Sequence, residues 1–417
     1  MIYGLIGEKL SHSFSKDIHE LFGNTNYHIF EIEKIEDFLS IDNLAGFNIT
    51  IPYKNQIIKY LDEIDEVSEN TGSVNTVLRK KDKLYGYNTD YYGFIETINY
   101  HHLVLKNKKV LILGNGSVSN TVIYALKNLD AKLIKRLARN VKSKDDDNFL
   151  NYSHFLDAEV IINTTPVGMY PNNEDELLIP IDEFKNLEVV IDLVYNPLKT
   201  KLLLKAEENK VKIVNGLYML VMQAKRAHEL FFSCEIPLNL ANKLYKKIIK
   251  KLYNIVFIGL PLSGKSKYTR ILETKLNKKA YDTDEEIEKI IGMTIFDYFS
   301  THTESEFRVV ETSIIKQIFK NHNLIISTGG GAVKTPINIS LLKQNGVIIF
   351  LDKDPDKIAK KIINGRPLIK KSSDIYAIAE ERLPLYKKYC DIRIALNYDT
   401  VYHINEIKEK IDEYFGY

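Results

Sequence analysis

The chain has 417 residues, 45% hydrophobic and 27% charged, a length and balance that favour two or three soluble globular domains over a disordered or fibrous protein. Its formal net charge of +2 suggests neither nucleic acid nor an anionic membrane as partner. Only two cysteines occur, Cys234 and Cys390, with no CxxC and no zinc spacing, which excludes a disulfide framework and suits a reducing cytoplasm.

"MIYGLIGEKLSHSFSKD" meets charge after seven residues, unlike a secretory leader. No apolar run approaches the roughly 20 residues that span a bilayer. Residues 1 to about 100 alternate apolar runs ("IYGLIG", "YHIFEIE", "GFNITIP", Ser73–Leu78, "LYGYNTD") with helix-like stretches, the rhythm of an α/β layer. From Lys108 a second α/β unit runs through "KKVLILG", a helix from about Ser117, "AKLIKRLAR", "EVIINTTPVG" and "VVIDLVY". Such Val/Ile/Leu runs suit parallel strands buried on both faces. After "KIVNGLYMLVMQAKRAHELF", the lysine-rich "LNLANKLYKKIIKKL" reads as a packing helix with a solvated basic face. The strand "NIVFIG" follows without a Gly/Ser/Pro linker, so the boundary falls near Lys251 and the join is short and helical.

In the early half, hydroxyls and amides surround one lysine and one aspartate worth singling out. Ser13 and Ser15, in "SHSFSKD", flank a bend and can donate to a carboxylate. If Lys54 of "NITIPYK" meets Asp90 of "GYNTD", the carboxylate would orient the lysine and stabilise its charge. The ammonium could then protonate a ketone oxygen as hydride arrives at carbon, general-acid help of roughly 10²–10⁴ in rate. "VLILGNGSVSN" places Gly114 and Gly116 between a strand and a helix, the dinucleotide context, though the third glycine is missing. At the end of the next strand Arg136, Arg139 and Lys142 cluster where an acidic residue would favour NAD, so the expected cofactor is NADP.

In the late half, "GLPLSGKS" fits the phosphate-loop pattern between a strand and a helix. Its backbone N–H groups point at phosphate oxygens. Lys265 would reach the β- and γ-phosphates and the Ser266 hydroxyl would ligate Mg²⁺. Downstream, Asp282 and Asp284 are read as sharing one side of a strand end, one for Mg²⁺ and its water, the other for an acceptor hydroxyl. Arg308 offers a planar fork to a carboxylate, and Gly329–Gly331 allow close approach of a small ligand. The ten histidines show no metal spacing, and no zinc is expected.

In this order, "GLPLSGKS", "DTD", "FRVVE" and "GGG" resemble shikimate kinase over residues 252–417. The resemblance implies that Asp284, Arg308, Gly330 and Arg382 bind shikimate and that Arg366 closes over ATP. Gly259, Leu262, Ser263, Gly264, Lys265, Ser266 and Lys267 would cradle ATP, with Ser266 and Asp282 at Mg²⁺. Leu262 stands where that family usually has glycine. Residues 1–250 resemble shikimate dehydrogenase through "HSFS", "NITIPYK", "SVNT", "GYNTD", "NTTPVGM", "DLVYNPLKT" and "GLYMLVMQA". That implies a substrate site of Ser13, Ser15, Thr50, Lys54, Asn75, Thr89, Asp90, Tyr195 and Gln223, with Asn48 matching the family's asparagine beside Thr50. NADP would meet Gly114, Gly116, Ser117, Arg139, Thr164 and Gly216. Lys16 stands where that family has proline, and Ser117 replaces a glycine.

The implied fold is α/β throughout. A two-lobed dehydrogenase has a substrate lobe (about 1–100 and 216–251) and a Rossmann-type NADP lobe (about 101–215). A P-loop α/β/α kinase domain (252–417) follows. The implied function is NADPH-dependent reduction of 3-dehydroshikimate to shikimate, then ATP- and Mg²⁺-dependent phosphorylation of shikimate at its 3-hydroxyl. Lys54, Asp90, Lys265 and Asp284 would be catalytic. Partners are small molecules, with no nucleic acid or membrane, in the cytoplasm. Three alternatives stay open. One half could be a degenerate ligand-binding module, or the first half could prefer quinate or NAD. The kinase acceptor could also be gluconate or a nucleoside monophosphate, although an aspartate beside the acceptor would repel a nucleotide's phosphate.

Overall fold

The apolar runs become buried strands in three sheets. A computed structural model describes residues 1–10, 13–360 and 372–416, and contacts divide the chain into Met1–Ile248 and Ile249–Tyr417. Among the described residues, no helix is long and apolar enough to cross a membrane.

The first unit opens with β1 (Ile2–Gly7), β2 (Tyr27–Glu31), β3 (Leu44–Ile49), β4 (Glu63–Ile64), β5 (Thr76–Lys80) and β6 (Lys83–Tyr87), in sheet order β2-β1-β3-β5-β6-β4. β1 pairs parallel with β2 and β3, whereas β5 runs antiparallel to β3 and β6. Ile6, Phe38, Phe47, Ile57 and Val77 fill one face. Helix Thr89–Tyr100 leaves this sheet, and helix Leu217–Phe232 returns against it. The helices cross closely at Gly93, where a Cβ would sit 2.6 Å from the Met219 carbonyl oxygen.

Between those helices lies an all-parallel sheet: β7 (Lys109–Leu113), β8 (Leu133–Ala138), β9 (Asp146–Asn148), β10 (Val160–Asn163), β11 (Val189–Asp192) and β12 (Lys212–Asn215). Its order is β12-β11-β10-β7-β8-β9, so the winding reverses between β7 and β10. At such a reversal the loops after the two strands part and leave a crevice for a ligand. Gly114 follows β7 and Thr164 follows β10.

The second unit holds β13 (Asn254–Ile258), β14 (Lys279–Asp282), β15 (Leu324–Ser327), β16 (Gly346–Asp352) and β17 (Ile392–Ala395), all parallel in order β14-β15-β13-β16-β17. Central β13 is buried along its length. Its one polar side chain, Asn254, donates to the Asn321 carbonyl (2.8 Å) and accepts from the Leu324 amide (2.9 Å). The lysine-rich segment forms helix Leu238–Leu252, with Ala241, Tyr245, Ile248, Ile249 and Leu252 buried and Lys243, Lys247, Lys250 and Lys251 exposed. Only Tyr253 separates it from β13. Lys278 caps the end of this helix from within the second unit. Its buried ammonium donates to the carbonyls of Lys250 and Tyr253 (2.7 Å each) and to Asn323 Oδ1 (3.1 Å). Burial pulls the Lys278 pKa down to about 7.

Candidate active sites

The end of β3, the start of β5 and the first turn of helix Thr89–Tyr100 bring the early polar residues together. Asn88 caps that helix, accepting from the Tyr91 amide, which leaves Asp90 in a first turn where negative charge is favoured. Lys54 Nζ donates to Asp90 Oδ2 at 2.6 Å, both side chains being about a tenth exposed. Asn75 Nδ2 donates to the other carboxylate oxygen (3.0 Å), and Asn75 Oδ1 accepts from the Thr89 amide (2.7 Å). Gln223, on the returning helix, brings Oε1 to 3.5 Å from both Asn75 Nδ2 and Thr89 Oγ1. The Lys54 ammonium thus has a fixed carboxylate partner, and amides and hydroxyls able to grip a polyol lie beside it.

The other residues expected on the substrate side have the following partners. The Ser13 hydroxyl donates to Ser15 Oγ (3.1 Å) at the head of helix Ser15–Leu21. Between the two serines, the Phe14 ring lies 5.6 Å from that of Tyr195, whose phenol burial pushes up to about 12. Thr50 leaves the end of β3, its amide bonded to the Ile6 carbonyl. Asn48 Nδ2 donates to Thr76 Oγ1 (2.9 Å) and its Oδ1 accepts from the Tyr27 hydroxyl (2.7 Å). Sequence reasoning missed Tyr27, Thr76 and Asp192. Asp192, at the end of β11, accepts from Asn163, Thr200 and the Val194 amide next to Tyr195. Burial raises its carboxyl to about 6.

The crevice between β7 and β10 suits a dinucleotide. Gly114 has φ +102°, and a Cβ there would lie 2.7 Å from Thr165 and 2.9 Å from the Thr164 hydroxyl. Ser117 begins helix Ser117–Asn128, whose cap Gly116 supplies no side-chain bond and has open space where a Cβ would stand. Uncapped first-turn amides facing open space form an anion seat. At Gly216 a Cβ would fall 2.0 Å from the Leu193 carbonyl, so no larger residue fits beside Tyr195. The basic cluster divides. Arg139 and Lys142 are exposed, whereas Arg136 is buried in an ion pair with Asp146 (2.5 Å). Arg136 is therefore not an exposed phosphate ligand.

In the second unit the phosphate loop links β13 to helix Lys265–Leu276, again without a side-chain cap. Gly259 (φ +149°) and Gly264 (φ +102°) take backbone angles that side chains disfavour, and Leu262 is forced into the left-handed region at φ +64°. Lys265 Nζ lies along the loop, donating to the carbonyls of Gly259 (2.9 Å) and Leu260 (3.0 Å). The buried Ser263 hydroxyl has no hydrogen-bond partner among the described residues, which suits a loop shaped around phosphate oxygens. Lys267 bonds Thr400 (2.7 Å). Ser266 Oγ donates to Asp282 Oδ2 (2.7 Å), a hydroxyl and a carboxylate of the hard-oxygen type that Mg²⁺ takes together with phosphate and water.

Asp284 corrects the strand-based expectation. It lies in the first turn of helix Thr283–Ile291, capped by Asp282, rather than on β14. Its neighbours come from the Gly329–Gly331 turn after β15. A Cβ on Gly329 would sit 2.7 Å from Asp284 Oδ1 and 3.0 Å from Glu311 Oε1, and one on Gly330 would press on Pro261. Arg308 donates to Glu311 (2.8 Å) and Glu304 (2.9 Å). Arg382 is buried, with its Nε 3.1 Å from Glu381, and the Tyr386 hydroxyl donates to the Gly330 carbonyl (2.5 Å). Glu311, read from sequence only as a neighbour of Arg308, is fully buried. Desolvation lifts its carboxyl to about 7 although Arg308 opposes the rise. The spacing of Arg308 and Glu311 on one helix face was the signal for this pair. Arg366 lies outside the described residues. Among those described, no group of three or more His, Cys, Asp or Glu side chains is placed to hold a metal.

The fold and sites define a class: a two-lobed dinucleotide-dependent oxidoreductase joined to a P-loop kinase. The shikimate kinase family model matches residues 261–412, and that of the shikimate dehydrogenase substrate binding domain matches residues 5–77. Over 262 residues the chain is 37% identical to shikimate dehydrogenase (NADP(+)) of Clostridium beijerinckii, covering 58% of this chain and 96% of that one. It is 40% identical over 242 residues to the Clostridium botulinum (strain Hall) protein of the same name, covering 54% and 93%. A chorismate mutase/shikimate 5-dehydrogenase fusion protein from Clostridium acetobutylicum has a similar crystal structure, with TM-score 0.56 and 36% identity over 59% of this chain and 96% of that one. The chain belongs to the shikimate dehydrogenase family and carries a shikimate kinase domain behind it.

Proposed function

We propose that this bifunctional enzyme reduces 3-dehydroshikimate to shikimate and then phosphorylates the shikimate on its 3-hydroxyl. The carrying observation is the buried Lys54–Asp90 pair at 2.6 Å inside a polar site built for a hydroxylated acid. When bound, NADPH supplies the hydride and ATP the phosphoryl group. As the ketone carbon is reduced, Lys54 gives its ammonium proton to the developing alkoxide, and Asp90 keeps the ammonium aimed. Asn75, Thr89 and Gln223 hold ring hydroxyls, while Ser13, Ser15, Thr50 and Tyr195 close around the carboxylate end. Gly114, Gly116, Ser117, Thr164 and Gly216 shape the dinucleotide crevice.

In the second site catalysis is positioning and charge neutralisation. Asp284 aligns the 3-hydroxyl and takes up its proton, and Arg308 and Arg382 hold the substrate carboxylate against the Gly330 turn. Lys265 would offset charge on the transferring group, and Ser266 and Asp282 would be the protein groups that hold Mg²⁺. The substrates are small molecules, and we place both reactions in the cytoplasm.

Supplying the full chain with 3-dehydroshikimate, NADPH and ATP together should yield shikimate 3-phosphate. Accumulation of shikimate alone, or no oxidation of NADPH, would reject the two-step reading.

A further inference from the structure

Asp146, in the dinucleotide lobe, is a buried carboxylate that the chemistry does not use. β8 ends at Ala138 and β9 begins at Asp146, yet the two strands pair in parallel. Parallel neighbours ordinarily need a crossover of a dozen or more residues. Here residues 139–145 make the connection without a helix, folded around the Asp146 side chain. Asp146 Oδ1 accepts from Arg136 Nε (2.5 Å) and the Ser143 hydroxyl (3.0 Å). Oδ2 accepts from the Lys142 amide and from Asn115 Nδ2 (3.0 Å each). Asn115 is the middle residue of the glycine loop, and its amide also donates to the Asn140 carbonyl (2.7 Å). One carboxylate therefore ties together β8, the connecting turn and the loop facing the diphosphate seat.

Two consequences follow for charge. Asp146 is fully buried as a side chain and neutralised by Arg136, so it adds little repulsion against an incoming phosphate. Desolvation works against its ionised form, but the bonds from Asn115, the Lys142 amide, Arg136 and Ser143 prevail and hold its pKa down to about 2. Arg139, Lys142 and Lys144 stay exposed on the turn and outnumber its one exposed carboxylate, Asp145.

We propose that Asp146 is the positioning residue for cofactor selectivity, folding the 139–145 turn so that its cations form a bay for the adenosine 2′-phosphate and pinning that bay to the glycine loop through Asn115. This rests on the dehydrogenase half using NADP. The selectivity would then depend on a side chain that never touches the cofactor.

The test measures binding of 2′,5′-ADP and 5′-AMP to the full chain by calorimetry, alongside NADPH kinetics. Wild type should prefer 2′,5′-ADP. In Asp146→Asn the preference should fall about tenfold, the loss of one charge-assisted contact, by weakening 2′,5′-ADP while 5′-AMP holds its affinity. KM for NADPH should rise with little change in kcat. Asn115→Ala, which cuts the tether but spares the ion pair, should move the preference the same way and carries the test if Asp146→Asn fails to fold. Retained preference in the folded variants, or equal weakening toward both nucleotides, overturns the proposal. A wild type without preference would instead reject the NADP reading.

Discussion

Arg308 and Gly331 are in such close contact that a Cβ on the glycine would lie 2.0 Å from a guanidinium nitrogen. The third glycine of the triplet therefore serves to seat the arginine between Glu304 and Glu311. Gly331→Ala should displace that guanidinium and raise KM for shikimate in the kinase reaction by about tenfold or more, as expected for loss of a charge-assisted contact. Shikimate-dependent reduction of NADP, measured in the same preparation, should not change.

Separate chemistry predicts separable losses. Lys54→Ala should abolish shikimate-dependent NADP reduction, a fall of about 10²-fold or more, with shikimate-dependent ADP release intact. Lys265→Ala should do the converse. A folded variant that lost both activities would contradict two independent sites.

Glu311 makes the stability of the second unit depend on pH. Its folded pKa, about 7, stands above the ordinary glutamate value of 4.5, so the folded state holds the proton more tightly than the unfolded state. The stabilisation is complete below about 4.5 and is lost as pH rises through about 7, where unfolding no longer releases a proton from this group. Urea unfolding at a series of pH values should show stability falling over that window in wild type. The slope should be shallower in Glu311→Gln, which keeps the shape and removes the titration; identical slopes would refute the assignment.

Leu262 is the costliest departure in the phosphate loop. A non-glycine residue in the left-handed region loses about 1–2 kcal/mol to contact between its Cβ and the backbone. Leu262→Gly should recover part of this, about 1 kcal/mol after the extra chain entropy of glycine is deducted, and lower KM for ATP. A higher KM would mean that the leucine side chain supports the loop.

Much of this architecture is legible in the chain itself. The phosphate loop and the Gly114–Gly116 loop announce themselves because each motif sits between an apolar strand and a helix, and local spacing encodes both. Lys54 and Asp90 lie far apart in sequence, but their residue types within amide- and hydroxyl-rich segments point to one polar site. Asp284 is misplaced because a residue one step beyond a strand end can start a helix, and the Asp282 cap that decides this depends on local backbone geometry. Arg136 looks like its neighbours Arg139 and Lys142 until strand pairing turns it inward onto Asp146. Glu311 is hidden for a similar reason: only the packing of the glycine triplet against it reveals that it is dry. For Arg136 and Glu311 it is burial against other segments, not spacing along the chain, that decides the role.

The lysine that caps the helix before β13 has a practical bearing on dissection of the polypeptide. An excised kinase fragment starting at Asn254 would discard the Lys250 and Tyr253 carbonyls and leave the Lys278 ammonium with Asn323 as its remaining acceptor among these three. A stranded cation in a dry pocket is a heavy liability. A stand-alone version should therefore begin upstream of Lys250, or replace Lys278 with a neutral side chain at the same time.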